Sequence, residues 1–528
     1  MWLGVIFRTG TDLGHSGRRA DGILKQSPGM DARPRMAIAF IKTTRPRVRP
    51  VKVSTSSRVP QPRRIVSNFA TLSVAEIVCR GTSVAVTLWL AKSLGRAGYG
   101  RIEFAFNIVF WLVLLVRDAF EVIAARELAR HPRLIRPLVN HVLAVKGILA
   151  LGLFGGILFI SRFTLSSPGD QLILGLYGLM LLTTALGLDF VYRGRERVGL
   201  VAVSLCLRTA VYAIGVWLTV ADDSRIAWVP AWLATGEACG IALVWICYAR
   251  KYGLPRPVLG GRFLRVFLRR GRPVTLIQIS QAVIGSADLL AVGLMSQYAA
   301  VGLYGAAHRM VTAVLTFGLI FQQVVFPSLA RSWRDTPEAS RKALNSLVKI
   351  LTLILIPLAV GTSTLAGPIV RFVLPEDYAE ASTLLAIGIW RAPLLTLAYL
   401  YQITLIALNR EAACVRLLFA GAIGVGPLAA LLASQFGLAG ATASVVFVGL
   451  ALVIAGYGCL AREGRQPAWH HHLLKPAIAA TVMVPACLAM AQWHVLVGVL
   501  GGALTYGLVL GLLGGLPLAA LREMVKGK

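Results

Sequence analysis

The sequence predicts an all-α polytopic membrane protein: about 14 transmembrane helices, two six-helix lobes related by pseudo-two-fold symmetry, and an extra C-terminal helix pair. Three observations predict it. Hydrophobic residues make up 56% of the 528 and charged residues 15%, with a mean hydropathy of +0.71, whereas an average soluble domain is nearer half apolar and a quarter charged. Apolar runs of about 20 residues, the length that crosses a bilayer, follow one another almost without pause after Asn68. Two stretches sharing a Gly-and-Tyr turn recur at the same place in each half. A water-soluble enzyme, a nucleic-acid binder and a disulfide scaffold are excluded on these grounds.

Residues 1–67 are a different material, rich in Arg, Pro, Ser and Gly, and their composition predicts a disordered basic tail. Met36 offers an alternative start. An N-terminal lobe of six runs follows over 68–249, at 68–92, 104–125, 141–161, 171–192, 198–220 and 227–249. A basic linker occupies 250–273. The C-terminal lobe over 274–460 carries runs at 274–295, 303–325, 345–367, 382–408, 413–434 and 438–460. A loop and two last runs, 474–493 and 495–521, complete the chain over 461–528.

The net charge of +31 would ordinarily point to nucleic acid, but the positions of the charges answer otherwise. Of the 54 Lys and Arg, 41 lie in the tail, the even-numbered connections and the C-terminus, against 6 in the odd-numbered connections. Positive loops stay on the cytoplasmic side, so the split places both termini inside. It also requires an even number of spans.

The seven cysteines all fall within apolar runs and form no CxxC pair, which reads as core filling. His470, His471 and His472 lack acidic or Cys companions, so no metal site is expected, and no Walker motif appears. No cofactor is implied. Outward loops are short; the longest, around Pro368 to Ser382, holds Glu376, Asp377 and Glu380 and reads as a solvated turn rather than a paired-carboxylate site. Short loops also oppose a membrane polymerase or ligase, so the chain reads as a transporter and not an enzyme.

The doubling is seen where Leu94-Gly95-Arg96-Ala97-Gly98-Tyr99-Gly100 follows span 1 and Ala299-Ala300-Val301-Gly302-Leu303-Tyr304-Gly305 follows span 7. Two lobes of six spans, rocking about a midplane cavity, make a transporter. These residues, with Arg126-Glu127-Leu128-Ala129-Arg130, Arg309, Pro327-Ser328-Leu329-Ala330, Tyr378-Ala379-Glu380-Ala381, Leu408-Asn409-Arg410 and Phe436-Gly437-Leu438-Ala439-Gly440-Ala441-Thr442-Ala443, carry a resemblance. Over about residues 65 to 465 the chain resembles the oligosaccharidyl-lipid flippases of the MOP superfamily, the Wzx-type O-antigen and polysaccharide exporters.

The resemblance implies export of undecaprenyl-diphosphate-linked oligosaccharide across the bacterial plasma membrane for surface polysaccharide synthesis. It implies membrane lipid, a polysaccharide polymerase and chain-length machinery as partners, with no nucleic acid. Spans 1, 2, 7 and 8 line the cavity in that family, which would bring Arg80, Arg117, Asp288 and Arg309 around it. Guanidinium forks match diphosphate oxygens, so Arg80 and Arg309, with Arg117 beside them, are candidates to hold the headgroup. The alternatives are structural: Glu76 stands four residues from Arg80 on one helical face, and Asp118 or Glu121 can neutralise Arg117. Asp288 has no cation within a turn, and is either a coupling site or the partner of an arginine on another span. Two other activities share the architecture, a peptidoglycan lipid II flippase and a MATE-type cation-coupled drug antiporter; cationic side chains in the cavity argue against the second.

Overall fold

The computed structural model describes residues 62–332 and 337–515, so most of the basic tail and the last residues lie outside it. The described residues contain helices and short turns but no strand. Backbone amides have no water to bond in hydrocarbon, and a helix satisfies them within one segment. In chain order the helices are α1 (Pro62–Arg130), α2 (Ile135–Thr164), α3 (Pro168–Leu186), α4 (Asp189–Gly194), α5 (Val198–Thr219), α6 (Trp228–Tyr252), α7 (Gly261–Met295) and α8 (Tyr298–Ser332). Then come α9 (Pro337–Thr364), α10 (Ala366–Val373), α11 (Ala381–Gly388), α12 (Arg391–Ala407), α13 (Glu411–Arg462), α14 (Trp469–Ala491) and α15 (Val495–Leu512). Ten helical stretches among the described residues are long and apolar enough to cross a membrane.

Two of these helices are each two segments joined at a glycine. α1 breaks at Gly95 (φ 64°) and α13 at Gly437 (φ 59°), a left-handed conformation that glycine adopts without steric cost. The α13 segments fold back closely: a Cβ on Gly440 would stand 2.0 Å from the Leu432 carbonyl oxygen. In α1, Leu72 of the first segment packs with the cluster around Phe120 and Ile123 of the second, so this helix also returns on itself.

Contacts among the connections sort them onto two ends, as the charge count requires. At the charge-poor end Gly98 lies against Asp223, Phe372 meets His494 edge-on at 5.4 Å, and Tyr298 reaches Asp170. At the charge-rich end the Arg256 amide bonds the Asn140 side chain, Arg410 pairs with Glu463 at 2.8 Å, and Arg465 donates to Ser340. The hydrophobic cores follow the same division. One core at the charge-poor end contains residues of both halves, among them Leu90, Tyr99, Val301, Tyr304 and Tyr378. Toward the other end the halves have separate cores, one around Leu138 and Phe190, the other around Leu351 and Leu418.

Two sequence expectations are corrected. The basic stretch 250–273 is only partly a linker: α7 begins at Gly261 and runs through Pro273, with Phe267 stacked on Phe120 at 6.1 Å between ring centres. The loop around Pro368 to Ser382 is not a bare solvated turn, because α10 runs into it as far as Val373 and buries Val370, and Tyr378 is buried as well. Five arginines in the first 12 residues of α7 hide its start from the apolar run that begins at 274, and α10, with eight residues, is too short to show as a run of its own.

Candidate transport site

The first segment of α1 carries a polar stripe. Ser73, Glu76, Arg80, Ser83 and Thr87 recur at helical spacing, while Val74, Ile77 and Val78 point elsewhere and are exposed as lipid-facing residues would be. Cys79, between the two faces, is buried with its sulfur 3.8 Å from that of Cys206 on α5. Arg80 is exposed, and among the described residues no ion pair joins it to Glu76. The pairing that four-residue spacing permits is therefore not made. Arg117 sits in the second segment, pairs with Asp118 at 2.9 Å, and remains nearly half exposed.

Arg309 reaches from α8 across the divide between the halves. Its Nε and Nη2 donate to the two oxygens of Glu103 at 3.0 and 3.1 Å, a bidentate pair, and its guanidinium lies 4.9 Å from the Phe106 ring centre. Glu103 is buried, while the Arg309 side chain is 34% exposed. Nearby, helix packing closes to backbone contact. A Cβ on Gly100 would stand 1.8 Å from the Tyr298 carbonyl oxygen, and one on Gly302 would stand 2.1 Å from that of Arg96. The repeated Gly-and-Tyr turns thus face each other, and glycine is what lets α1 and α8 touch.

Further bonds seal this charge-poor end. Asp170 accepts from the Tyr298 hydroxyl at 3.1 Å and pairs with Arg101 at 3.1 Å. The Tyr378 hydroxyl donates to the Ala91 carbonyl at 3.3 Å, and burial pushes that phenol well above its ordinary range, so it stays a neutral donor. At mid-depth the Trp111 indole donates to Ser286 at 2.9 Å.

Asp288 lies in the C-terminal half, wholly buried, and is not free. Arg391 Nη2 bonds its Oδ2 at 2.5 Å, the Tyr304 hydroxyl donates to the same oxygen at 2.6 Å, and His308 Nδ1 stands 3.1 Å from Arg391 Nη1. A water-sized cavity lined by Tyr304, His308, Arg391 and Thr442 adjoins the pair. Asp288 is thus paired with an arginine of another span. The N-terminal half holds its own buried ions. Lys146, with no exposed surface, donates to Glu121 at 3.0 Å and to the Gly187 carbonyl at 3.4 Å. Arg208 joins Asp189 at 3.1 Å and Glu237 at 3.0 Å.

Both networks sit at interrupted helices. The fourth expected span breaks between α3 and α4 at Gly187–Leu188, and the tenth between α11 and α12 at Ile389–Trp390. The two spans correspond, six apart, though the first breaks after a helix of 19 residues and the second after one of 8. Breaking a helix frees a carbonyl, which Lys146 uses, and places Arg391 in the first turn of α12, where Asp288 meets it. Glu103 was missed by sequence reasoning because it stands just outside the 104–125 run. The available signal was the repeat: Glu103 follows Tyr99 by four residues as His308 follows Tyr304.

The two helical halves meet along α1, α7 and α8. Residues 150–383 match the family model described as polysaccharide biosynthesis protein. No curated protein matches the chain by sequence. Among solved structures it is similar to the lipid II flippase MurJ in an inward closed conformation, at 14% identity and a TM-score of 0.69, covering 84% of this chain and 98% of that one. It is similar to an inward-facing multidrug resistance MATE family transporter of the MOP superfamily at 12% identity and a TM-score of 0.62, covering 76% and 97%. The MATE multidrug transporter DinF-BH gives 16% identity and a TM-score of 0.56, covering 78% and 99%. At these identities the likeness is one of fold, shared with MurJ and with the MATE family transporters.

Proposed function

We propose that the protein moves undecaprenyl-diphosphate-linked oligosaccharide from the cytoplasmic to the outer leaflet of a bacterial plasma membrane, for surface polysaccharide synthesis. The observation that carries this reading is Arg80. It is an exposed guanidinium on the polar stripe of a span, with no carboxylate neutralising it among the described residues. A charge at that depth is costly unless it faces water or an ionic ligand. A diphosphate supplies fixed negative charge and oxygens that match the guanidinium fork. Arg309, a third exposed with its Nη1 outside the Glu103 pair, is the second ligand, and Arg117 the third. Asp288 is the partner of Arg391, and neither it nor Glu76 contacts the headgroup.

In this reading the lobes are residues 68–249 and 274–460, with 250–273 between them and 461–528 as an added C-terminal unit. Both termini are cytoplasmic, which makes the charge-poor end the outer one. Rocking of the lobes exposes the cavity to either face while the isoprenoid tail stays in lipid. A membrane potential of about 100 mV, negative inside, favours outward movement of an anion by roughly 2.3 kcal/mol per charge. A polysaccharide polymerase and chain-length machinery would act on the product outside. A MATE-type drug antiporter is the poorer reading, since Arg80 repels organic cations. The lipid II flippase reading shares the diphosphate lipid, and the MurJ likeness favours it enough to be tested alongside.

The test is transport by the full chain in liposomes. A fluorescent polyprenyl-diphosphate oligosaccharide should cross and become accessible to a membrane-impermeant quencher, faster than lipid II does. Protein-free rates for both lipids would overturn the reading, and faster lipid II transport would select the alternative.

A further inference from the structure

We infer that Glu103 is a proton-binding site, and that its protonation is linked to the release of Arg309 and to the parting of the two halves at the charge-poor end. This rests on the rocking of two lobes in the reading above. Both oxygens of Glu103 are committed while the end is sealed: Oε1 accepts from Arg309 Nε, and Oε2 from Arg309 Nη2 and, at 3.4 Å, from the Tyr99 hydroxyl. The carboxylate is 5% exposed. Its surroundings are aromatic, with Phe106 beneath the guanidinium and Tyr177 edge-on to Phe106 at 5.7 Å.

The titratable and charged groups that face Glu103 are Arg309 from α8, Tyr99 from its own helix, Tyr177 from α3 and Tyr212 from α5. These are one cation and three phenols, and the cation alone comes from the other half. When the halves part, Arg309 leaves with α8 and the carboxylate keeps one long bond inside an aromatic cage. An ionised carboxylate abandoned in such a place is strongly disfavoured. It takes up one proton from the aqueous side that has just opened, becoming the neutral acid, while Arg309 keeps its charge. The sealed pair is neutral and the open pair carries one positive charge, so acid favours the open state. The same step frees Arg309 for an anionic headgroup, since Glu103 and a phosphate compete for one guanidinium.

The closing experiment needs no substrate. Spin labels on non-natural residues at Ala221 and Glu376, exposed at the charge-poor end of the two halves, leave the seven native cysteines in place. Distances are read in liposomes of the full chain at pH about 5 and about 8. Wild type should populate a longer distance about tenfold more at the lower pH, and Glu103→Gln should populate it at both. Identical distances at both pH values in wild type would overturn the inference, whatever the variant does. A Glu103→Gln protein that keeps the wild-type pH dependence would do so too. A gate that opens with acid in a protein unable to move diphosphate lipid refutes the transport reading and leaves Glu103 standing.

Discussion

Replacing Arg391 with Met strands Asp288 in the interior of the C-terminal half. Both residues are essentially without exposed surface, and breaking such a pair by removing one partner costs about 3–5 kcal/mol. Asp288 would keep the Tyr304 hydroxyl at 2.6 Å, so Arg391→Met should fall near the lower figure, about 3 kcal/mol. Asp288→Leu leaves Arg391 with His308 at 3.1 Å and the Tyr304 side chain but no carboxylate, and should cost about 4 kcal/mol. The double variant removes both charges and takes these partners from the Tyr304 hydroxyl and from His308 Nδ1, about 1–3 kcal/mol. The two changes should therefore be strongly non-additive, with a coupling of at least about 3 kcal/mol. The assay is equilibrium denaturation of the full chain in mixed micelles, followed by the fluorescence of its 11 tryptophans. Single variants that each lose less than about 1 kcal/mol and add without coupling would refute a tightly held Asp288–Arg391 pair.

The packing and topology make two more predictions. Gly302→Ala places a Cβ 2.1 Å from the Arg96 carbonyl, so α8 must move on the order of 1 Å from α1, at a cost of about 1–3 kcal/mol; Gly152→Ala, with nothing within 4 Å, should be neutral in the same denaturation assay. Cysteines introduced at Asp222 and Arg256, exposed at opposite ends of the bundle, should react with impermeant maleimide from opposite sides of the membrane, and same-side labelling would overturn the orientation.

The fold was legible in the sequence because bilayer crossing imposes a period and a length that composition reveals. Helices fell where apolar runs stood, and the Gly-and-Tyr repeat marked the contact at Gly100 and Gly302. The site was less legible for a reason of distance. Glu103 and Arg309 lie 206 positions apart, and Asp288 and Arg391 103 apart. One sequence displays local partners, such as Glu76 for Arg80, but cannot rank them against partners that folding brings from another span. Asp118 is a local partner that the structure does use for Arg117; Glu76 is one that it passes over. Helix breaks at Gly187 and Ile389 were hidden inside apolar runs that give no sign of a change in backbone path.

The central claim is that Arg80 meets an anionic headgroup, and binding tests it more directly than transport does. Full-chain protein in lipid nanodiscs is titrated with a polyprenyl diphosphate and with the matching uncharged polyprenol, for wild type and Arg80→Gln. A charge-assisted hydrogen bond of about 1.5–3 kcal/mol predicts a loss of about ten- to a hundredfold in diphosphate affinity for the variant, with the polyprenol unaffected. Equal diphosphate affinity in the two proteins would contradict the account.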